Sequence, residues 1–451
     1  MSLPGPPLER AERPYKRISP LTPLVRSFIL VVAVLASSWD DLLRGDIGPL
    51  AWILLTMLVA GAVYGAASWW RTKYWIEADE LRVDTGVISR QSRRIRVDRL
   101  QGIDIVQPFV ARLFGLAELR MDVAGGGARE GSLAFLPLRE AQGLRETLLA
   151  RRDAVRAPRS SNEDRVDDPV TPVTPGPERV LARLDLGTLL VSLLLSAETV
   201  GFVVAAVVLG ALFVEFGQLG GLAGVLPVLA GFGVALFRRL SAYYGLTVAE
   251  TPTGLQVRRG LFELNAQTIA VARVQGVVVT EPLMWRRLGW ARLDVAVAGY
   301  AGSGSDGGPS ASTVMPVADR DLVLWLARRL LEASGAPDPS SVRLTRAPAR
   351  ARWVSPIGRR FLASGVGDDL LVSREGVLTR RTHIVPHARV QSLQLTQGPL
   401  QRTLRLADLQ VDSPPGPVKV RARHRDAVEA RGLLDRADAL ARAARSASGP
   451  A

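Results

Sequence analysis

The sequence predicts a membrane protein of the α+β class, with two transmembrane α-hairpins carrying three copies of a small β-rich module, each closed by a helix. Two observations predict it. Very apolar blocks alternate with arginine-rich ones, so a mean hydropathy of +0.15 coexists with 22% charged residues, the pattern of membrane spans joined to polar domains. One short pattern also returns three times in the same order and spacing.

The apolar blocks come first. Stretches over 21–39, 47–70, 186–213 and 220–237 pair as two hairpins, 21–70 and 181–239, each with a short connecting loop. Arg26 interrupts the first stretch near its start, where its side chain can reach the interface. Trp39, Trp52, Trp69 and Trp70 suit an interfacial aromatic belt. Lys and Arg flank the outer ends of both hairpins (Arg10, Arg13, Lys16, Arg17, Arg71 and Lys73; Arg179, Arg183, Arg238 and Arg239), whereas the loop after Trp39 is acidic on balance and Glu215 lies in the second loop. The positive-inside rule then keeps the basic N-terminus (1–20) and everything outside the spans in the cytoplasm, beneath a plasma membrane. The Pro- and Arg-rich N-terminus lacks the features of a cleaved signal peptide, so none is expected.

The repeat centres on Arg99-Leu100-Gln101-Gly102-Ile103, Arg273-Val274-Gln275-Gly276-Val277 and Arg389-Val390-Gln391-Ser392-Leu393. Thirteen residues before each arginine stands a glycine (Gly86, Gly260, Gly376), read as the turn after an earlier strand. Apolar residues alternate on either side of the arginine, but the parity breaks across it. This predicts two strands, or one strand with a bulge or bend. A proline follows (Pro108, Pro282, Pro399), then a Leu-x-Val-type strand, then a helix-period stretch over 138–151, 320–331 and 426–444.

The order strand, Gly-Val, strand, Arg-Leu-Gln-Gly-Ile, Pro, Gly-Leu-Ala-x-Leu resembles the bacterial pleckstrin-homology-like (PH-like) domain of the YdbT kind. The resemblance implies a bent, seven-stranded antiparallel sheet or barrel capped by a C-terminal helix, with transmembrane hairpins each followed by such a domain, and it carries no catalytic residues. The PH-like domains are expected over 71–152, 240–333 and 356–446, with a disordered linker over 153–180, a second linker over 334–355 and a tail over 447–451. Copy three departs from the pattern. No hairpin precedes it, Ser392 replaces the glycine, and His387 takes an apolar position.

A net charge of +14 and a pI of about 11.0 point to a polyanionic partner. The spans favour anionic lipid over nucleic acid, and no nucleic-acid partner is expected. The absence of cysteine excludes disulfides, thiolate metal sites and cysteine nucleophiles. The run Gly302-Ser303-Gly304-Ser305-Asp306-Gly307 lacks the following helix a dinucleotide fingerprint needs and reads as a loop. His383 and His387 have no clear third ligand, so neither a metal nor another cofactor is expected. The candidate lipid- or partner-binding residues are Arg93, Arg94, Arg96 and Arg99 in copy one, Arg258, Arg259 and Arg273 in copy two, and Arg380, Arg381 and Arg389 in copy three. For Arg99, Arg273 and Arg389 the competing reading is a structural arginine that holds the strand bend. Glu198 is a carboxylate inside the third apolar stretch, read either as a functional group or as a structural hydrogen-bonding one. The expected function is a non-enzymatic, membrane-anchored binding or scaffold protein engaging anionic lipid headgroups, protein partners or a second copy of itself. The alternative is an oligomeric transporter or channel component using the hairpins and Glu198.

Overall fold

The structure, a computed structural model, describes residues 16–17, part of 52–71, 72–77, 80–85, 91–123, 132–156, 179–215, 222–251, 254–298, 312–332, 338–412 and 416–447. Most of the first hairpin, Gly86, the loop around Gly304 and nearly all of the linker over 153–180 lie outside the described residues. The chain divides into two compact units, 1–170 and 171–451.

The first unit holds copy one. Strands β1 (Lys16–Arg17), β2 (Lys73–Glu77), β3 (Glu80–Thr85) and β4 (Gln91–Arg96) form an antiparallel sheet in chain order. A 3₁₀ turn, Val97–Arg99, ends it and starts β5 (Leu100–Pro108). After α1 (Phe109–Leu113) come β6 (Leu116–Val123), β7 (Ser132–Pro137) and α2 (Leu138–Arg156), with β5, β6 and β7 paired antiparallel. The parity break at Arg99 is therefore two strands joined by a tight turn. Val97 and Leu100, on either side of it, are fully buried with Leu81, Ile95, Ile105 and Leu119 beneath the α2 residues Ala141, Leu144 and Leu148. Tyr74 Oη donates to Glu140 Oε1 at 2.7 Å and ties β2 to α2. Burial, then that carboxylate, raises the Tyr74 pKa.

The second unit repeats this order twice. Copy two runs β8 (Arg179–Arg183), helices α3 (Leu186–Leu194), α4 (Ala197–Glu215) and α5 (Leu222–Tyr243), β9 (Thr247–Thr251), β10 (Gly254–Arg259), β11 (Glu263–Ile269), a 3₁₀ turn Val271–Arg273, β12 (Val274–Pro282), α6 (Leu283–Arg287), β13 (Trp290–Val297), β14 (Thr313–Asp319) and α7 (Arg320–Glu332). Copy three runs β15 (Thr345–Arg346), 3₁₀ turns Ala349–Trp353 and Gly358–Phe361, β16 (Ala363–Val366), β17 (Leu370–Glu375), β18 (Thr379–Pro386), a 3₁₀ turn His387–Arg389, β19 (Ser392–Thr396), α8 (Pro399–Thr403), β20 (Leu406–Asp412), β21 (Arg421–Asp426) and α9 (Ala427–Ala447). The repeated glycine is explained at Gly260 (φ +117°) and Gly376 (φ +101°). Both adopt the left-handed region, and a Cβ at either would collide with the carbonyl oxygen of Glu263 or Thr379.

Copies two and three share a sheet. β12 pairs antiparallel with β18, from Val277 opposite Ile384 to Pro282 opposite Thr379, giving one seven-stranded sheet in the order β14-β13-β12-β18-β17-β16-β15. Val277, Val279 and Ile384 lie in one core cluster, and Val278 lies in another with Val385 and Val390. Gly276 lies against this seam, where a Cβ would come within 2.7 Å of the Ile384 oxygen and 3.0 Å of Val385. The corresponding Ser392 is on the edge of the sheet β19-β20-β21 and bonds Asp412 at 2.7 Å. Glycine is thus required where a following copy packs, and serine is accommodated where none does.

Two expectations are corrected. The apolar stretch over 186–213 is not one straight helix but two, Leu186–Leu194 and Ala197–Phe213, bent by 46°. Ser196 Oγ accepts from Thr199 N at 3.2 Å and Thr199 Oγ1 donates to Leu193 O at 2.7 Å, so Ser196 caps a new helix. Hydropathy averaging hides that cap. Within the linker expected over 334–355, the described residues 338–355 are instead packed structure. Asp338 accepts from Ser340 N and pairs with Arg328, and Val342, Ala347 and Ala351 are buried.

His387 occupies a position that is Val97 in copy one and Val271 in copy two. It is buried, with Nε2 3.0 Å from Gly367 O. Burial disfavours its imidazolium and sets its pKa below the ordinary 6.5, with the Gly367 bond opposing in part.

Gly276→Ser should cost about 1–3 kcal/mol by overpacking the seam, whereas Ser392→Gly should stay within about 1 kcal/mol; unfolding midpoints of the detergent-solubilised chain compare them. The unfolded chain binds a proton at His387 more readily than the folded one, so the stability present above pH 6.5 should fall as pH drops below it. His387→Val should flatten part of that fall.

Candidate functional site

The arginines divide by what they touch. One group serves the architecture. Arg273 Nη2 donates to Ala298 O at 2.8 Å, holding the end of β13 to the 3₁₀ turn. Arg389 Nη2 donates to Ala272 O at 2.6 Å and so ties the turn of copy three to that of copy two. Arg380 makes two 2.7 Å bonds to Glu281, across the seam, and Arg320 reaches the same carboxylate at 3.1 Å. Glu281 is buried, so these partners keep its charge compensated. Arg259 is 4% exposed, lies 5.6 Å from the Tyr243 ring centroid and donates to Thr313 O. Burial withdraws it from any headgroup.

The other group faces outward. Arg93, Arg94, Arg96 and Arg99 are exposed on β4 and the turn after it. Arg96 grips Asp98 through two bonds of 3.1 and 2.8 Å, and Arg93 reaches Gln91 at 3.4 Å. Arg94 stands directly opposite Arg82 in the β3–β4 register, and Arg82 is itself compensated by Glu77 at 2.9 Å and Glu80 at 3.5 Å. Arg258 and Arg381 are exposed on their own strands. The structure therefore places three predicted arginines of copy one on the exposed strand β4 and the fourth, Arg99, in the turn after it, and does not gather those of copies two and three.

Glu198 lies in the first turn of α4, beside the Ser196 cap, and not in mid-helix. A carboxylate is favoured there by the helix dipole, and Arg239, near the end of α5, donates to it. Among the described residues, no single helix is long and apolar enough to cross a membrane, and the bent pair α3–α4 meets that length and composition only as a pair.

A buried polar cluster at the root of this hairpin escaped the sequence reading. Arg292 makes bonds of 2.8 and 2.9 Å to the two carboxylate oxygens of Asp294, and Thr313 Oγ1 bonds both residues at 2.8 and 2.7 Å. Burial works against the Arg292 charge, and Asp294 overcomes it, raising its pKa. Trp285 Nε1 donates to Ser192 O at 3.2 Å, fastening α6 to α3. The only signal in the sequence was a large Trp285 where copy one has the small, buried Ala111.

The histidines do not converge. His383 Nδ1 accepts from Lys419 N at 3.1 Å, and its ring, 3.8 Å from Glu375, holds that carboxyl below its ordinary pKa. His387 has Gly367, and no group of three metal-ligating side chains occurs among the described residues.

Comparison with known proteins agrees with this repeated architecture. A transmembrane protein of Bacillus subtilis (strain 168), YdbT of the UPF0699 group, is 24% identical over 276 residues, which cover 55% of this chain and 53% of the relative. The match thus spans about half the length of that relative. The family described as the bacterial PH domain matches three times, over 27–152, 189–334 and 345–440. Those stretches take up most of the chain, and it belongs to the bacterial PH domain family.

Proposed function

We propose that this chain is a multi-pass protein of the plasma membrane whose PH-like modules lie on the cytoplasmic face and engage anionic lipid headgroups. Protein partners or a second copy are the other ligands such a scaffold would take, and no reaction is assigned to it. The observation that carries this reading is the uncovered apolar surface of the second hairpin. Val203, Val204, Val207, Leu212, Val228, Val234 and Phe237 each leave 48–66% of their surface outside the protein. Contiguous apolar surface of this kind is rare on a protein surrounded by water and ordinary on one surrounded by lipid. Trp52, Val63 and Trp70 in the first hairpin are similarly uncovered, and the Bacillus subtilis relative is named a transmembrane protein.

The headgroup part of the reading rests on β4. Each outward arginine held near an anionic surface contributes on the order of 1 kcal/mol, and Arg93, Arg94 and Arg96 are all exposed on that strand. The transporter alternative draws little support from Glu198, whose setting at a helix start beside Arg239 is that of a structural ion pair.

Hydrogen exchange on the full chain reconstituted in vesicles tests the headgroup assignment. Amides over 91–99 should exchange about threefold or more slowly in phosphatidylglycerol than in phosphatidylcholine, and Arg93→Glu with Arg94→Glu should abolish the difference. Equal exchange in both lipids would leave protein partners as the ligand.

A further inference from the structure

Copies two and three carry different insertions at the same point of the module. In copy two, β8 and β9 pair antiparallel, Arg183 opposite Thr247, and the helical hairpin is the segment between them. In copy three the equivalent pair is β15 and β16, Thr345 opposite Ser364 and Arg346 opposite Ala363. Residues 347–362 between them form the two 3₁₀ turns. The missing hairpin of copy three is therefore replaced in place, by a segment too short to cross anything.

That segment has a seated side and an outward side. Ala347, Ala351 and Leu362 pack in a small core with Leu406. Arg350 pairs with Asp426 and donates to Arg405 O, and Arg359 donates to Ala347 O. Outward stand Trp353 at 68% exposure, Ile357 at 69% and Phe361 at 36%. Arg352 lies 5.3 Å from the Trp353 ring centroid, and Arg360 is exposed beside Phe361.

A second turn repeats the contrast. In copy two the β10–β11 turn is bonded to the foot of the hairpin, Gly260 N to Tyr244 O and Leu261 N to Ser241 O. Phe262 of that turn meets Phe237 of α5 with ring centroids 5.8 Å apart. The β17–β18 turn of copy three is its counterpart, and there Leu378 is 66% exposed. Arg286 fixes that turn by donating to Val377 O at 2.9 Å.

We infer that residues 352–361 of copy three are an interfacial anchor for an anionic bilayer, with Trp353, Ile357 and Phe361 entering the headgroup region and Arg352 and Arg360 meeting lipid phosphates. The inference rests on the reading of the copy-two hairpin as lipid-embedded, because the anchor takes the hairpin's place in the module. The residue chemistry fits that occupant. An aromatic and two aliphatic or aromatic side chains flanked by arginine is the composition that partitions to a lipid interface, and the backbone beneath them is held by buried alanines, so little order is lost on binding.

The chain contains no cysteine, which allows a single label. Ile357→Cys carrying an environment-sensitive fluorophore, in the full chain reconstituted with phosphatidylglycerol and phosphatidylcholine, should be quenched by headgroup-nitroxide lipid. The quenching should exceed by about twofold or more that of the same label at Ala443→Cys on the outer part of α9. Adding Arg352→Glu and Arg360→Glu should remove the excess. Equal quenching at the two sites, in a chain that still floats with the vesicles, would overturn the anchor and leave the hairpin reading intact. A chain that does not float would overturn both.

Discussion

An antiparallel sheet ends in two strands whose backbone donors and acceptors face outward, and this architecture depends on how that edge is closed. Each module splits its strands into two half-sheets at a 3₁₀ turn, which creates edges inside the module. Between copies two and three the solution is direct: β18 of one completes the sheet begun by β12 of the other. The pairing satisfies the backbone and merges two cores, Val277 and Val279 meeting Ile384 on one face while Val278 meets Val385 on the other. It also needs a glycine at 276 and a compensated carboxylate at 281, and the sequence has both.

That closure decides which charges remain for function. Arg380, Arg389 and Arg273 bond across or beside the strands they hold, and Arg259 is enclosed against Tyr243. The arginines of β4 in copy one are exposed instead, and Arg96 among them grips Asp98 in the turn that follows its strand. A pI of about 11.0 thus overstates the basic surface open to a ligand. Basicity at the seam is internal, and basicity on β4 and beside Trp353 is external.

Much of the fold was legible because a repeat exposes the positions that geometry constrains. Gly260 and Gly376 recur because their φ angles exclude a Cβ, and the parity break recurs because a tight turn moves the chain between half-sheets. The closing helices were legible from their period, with Ala437 and Ala441 buried on one side of α9. The sites were less legible. Hydropathy averages over Ser196 and Thr199, so the break in the third apolar stretch, and with it the helix-start setting of Glu198, does not register. Composition reads Arg343, Arg346 and Pro348 as linker, although the alanines between such residues are the ones that pack. Nor can a list of arginines separate Arg259 from Arg258, adjacent residues that strand alternation sends to opposite faces.

In the proposed topology all three modules stand on one side of a bilayer that receives the hairpins. Sidedness of labelling distinguishes it from any other arrangement. Single cysteines at the exposed positions Gln91, Glu332 and Ala443, one in each copy, are treated with a membrane-impermeant maleimide in intact cells and in inverted vesicles. All three should react in inverted vesicles and none in intact cells. Reaction of any one of them from the outside of intact cells would rule this topology out.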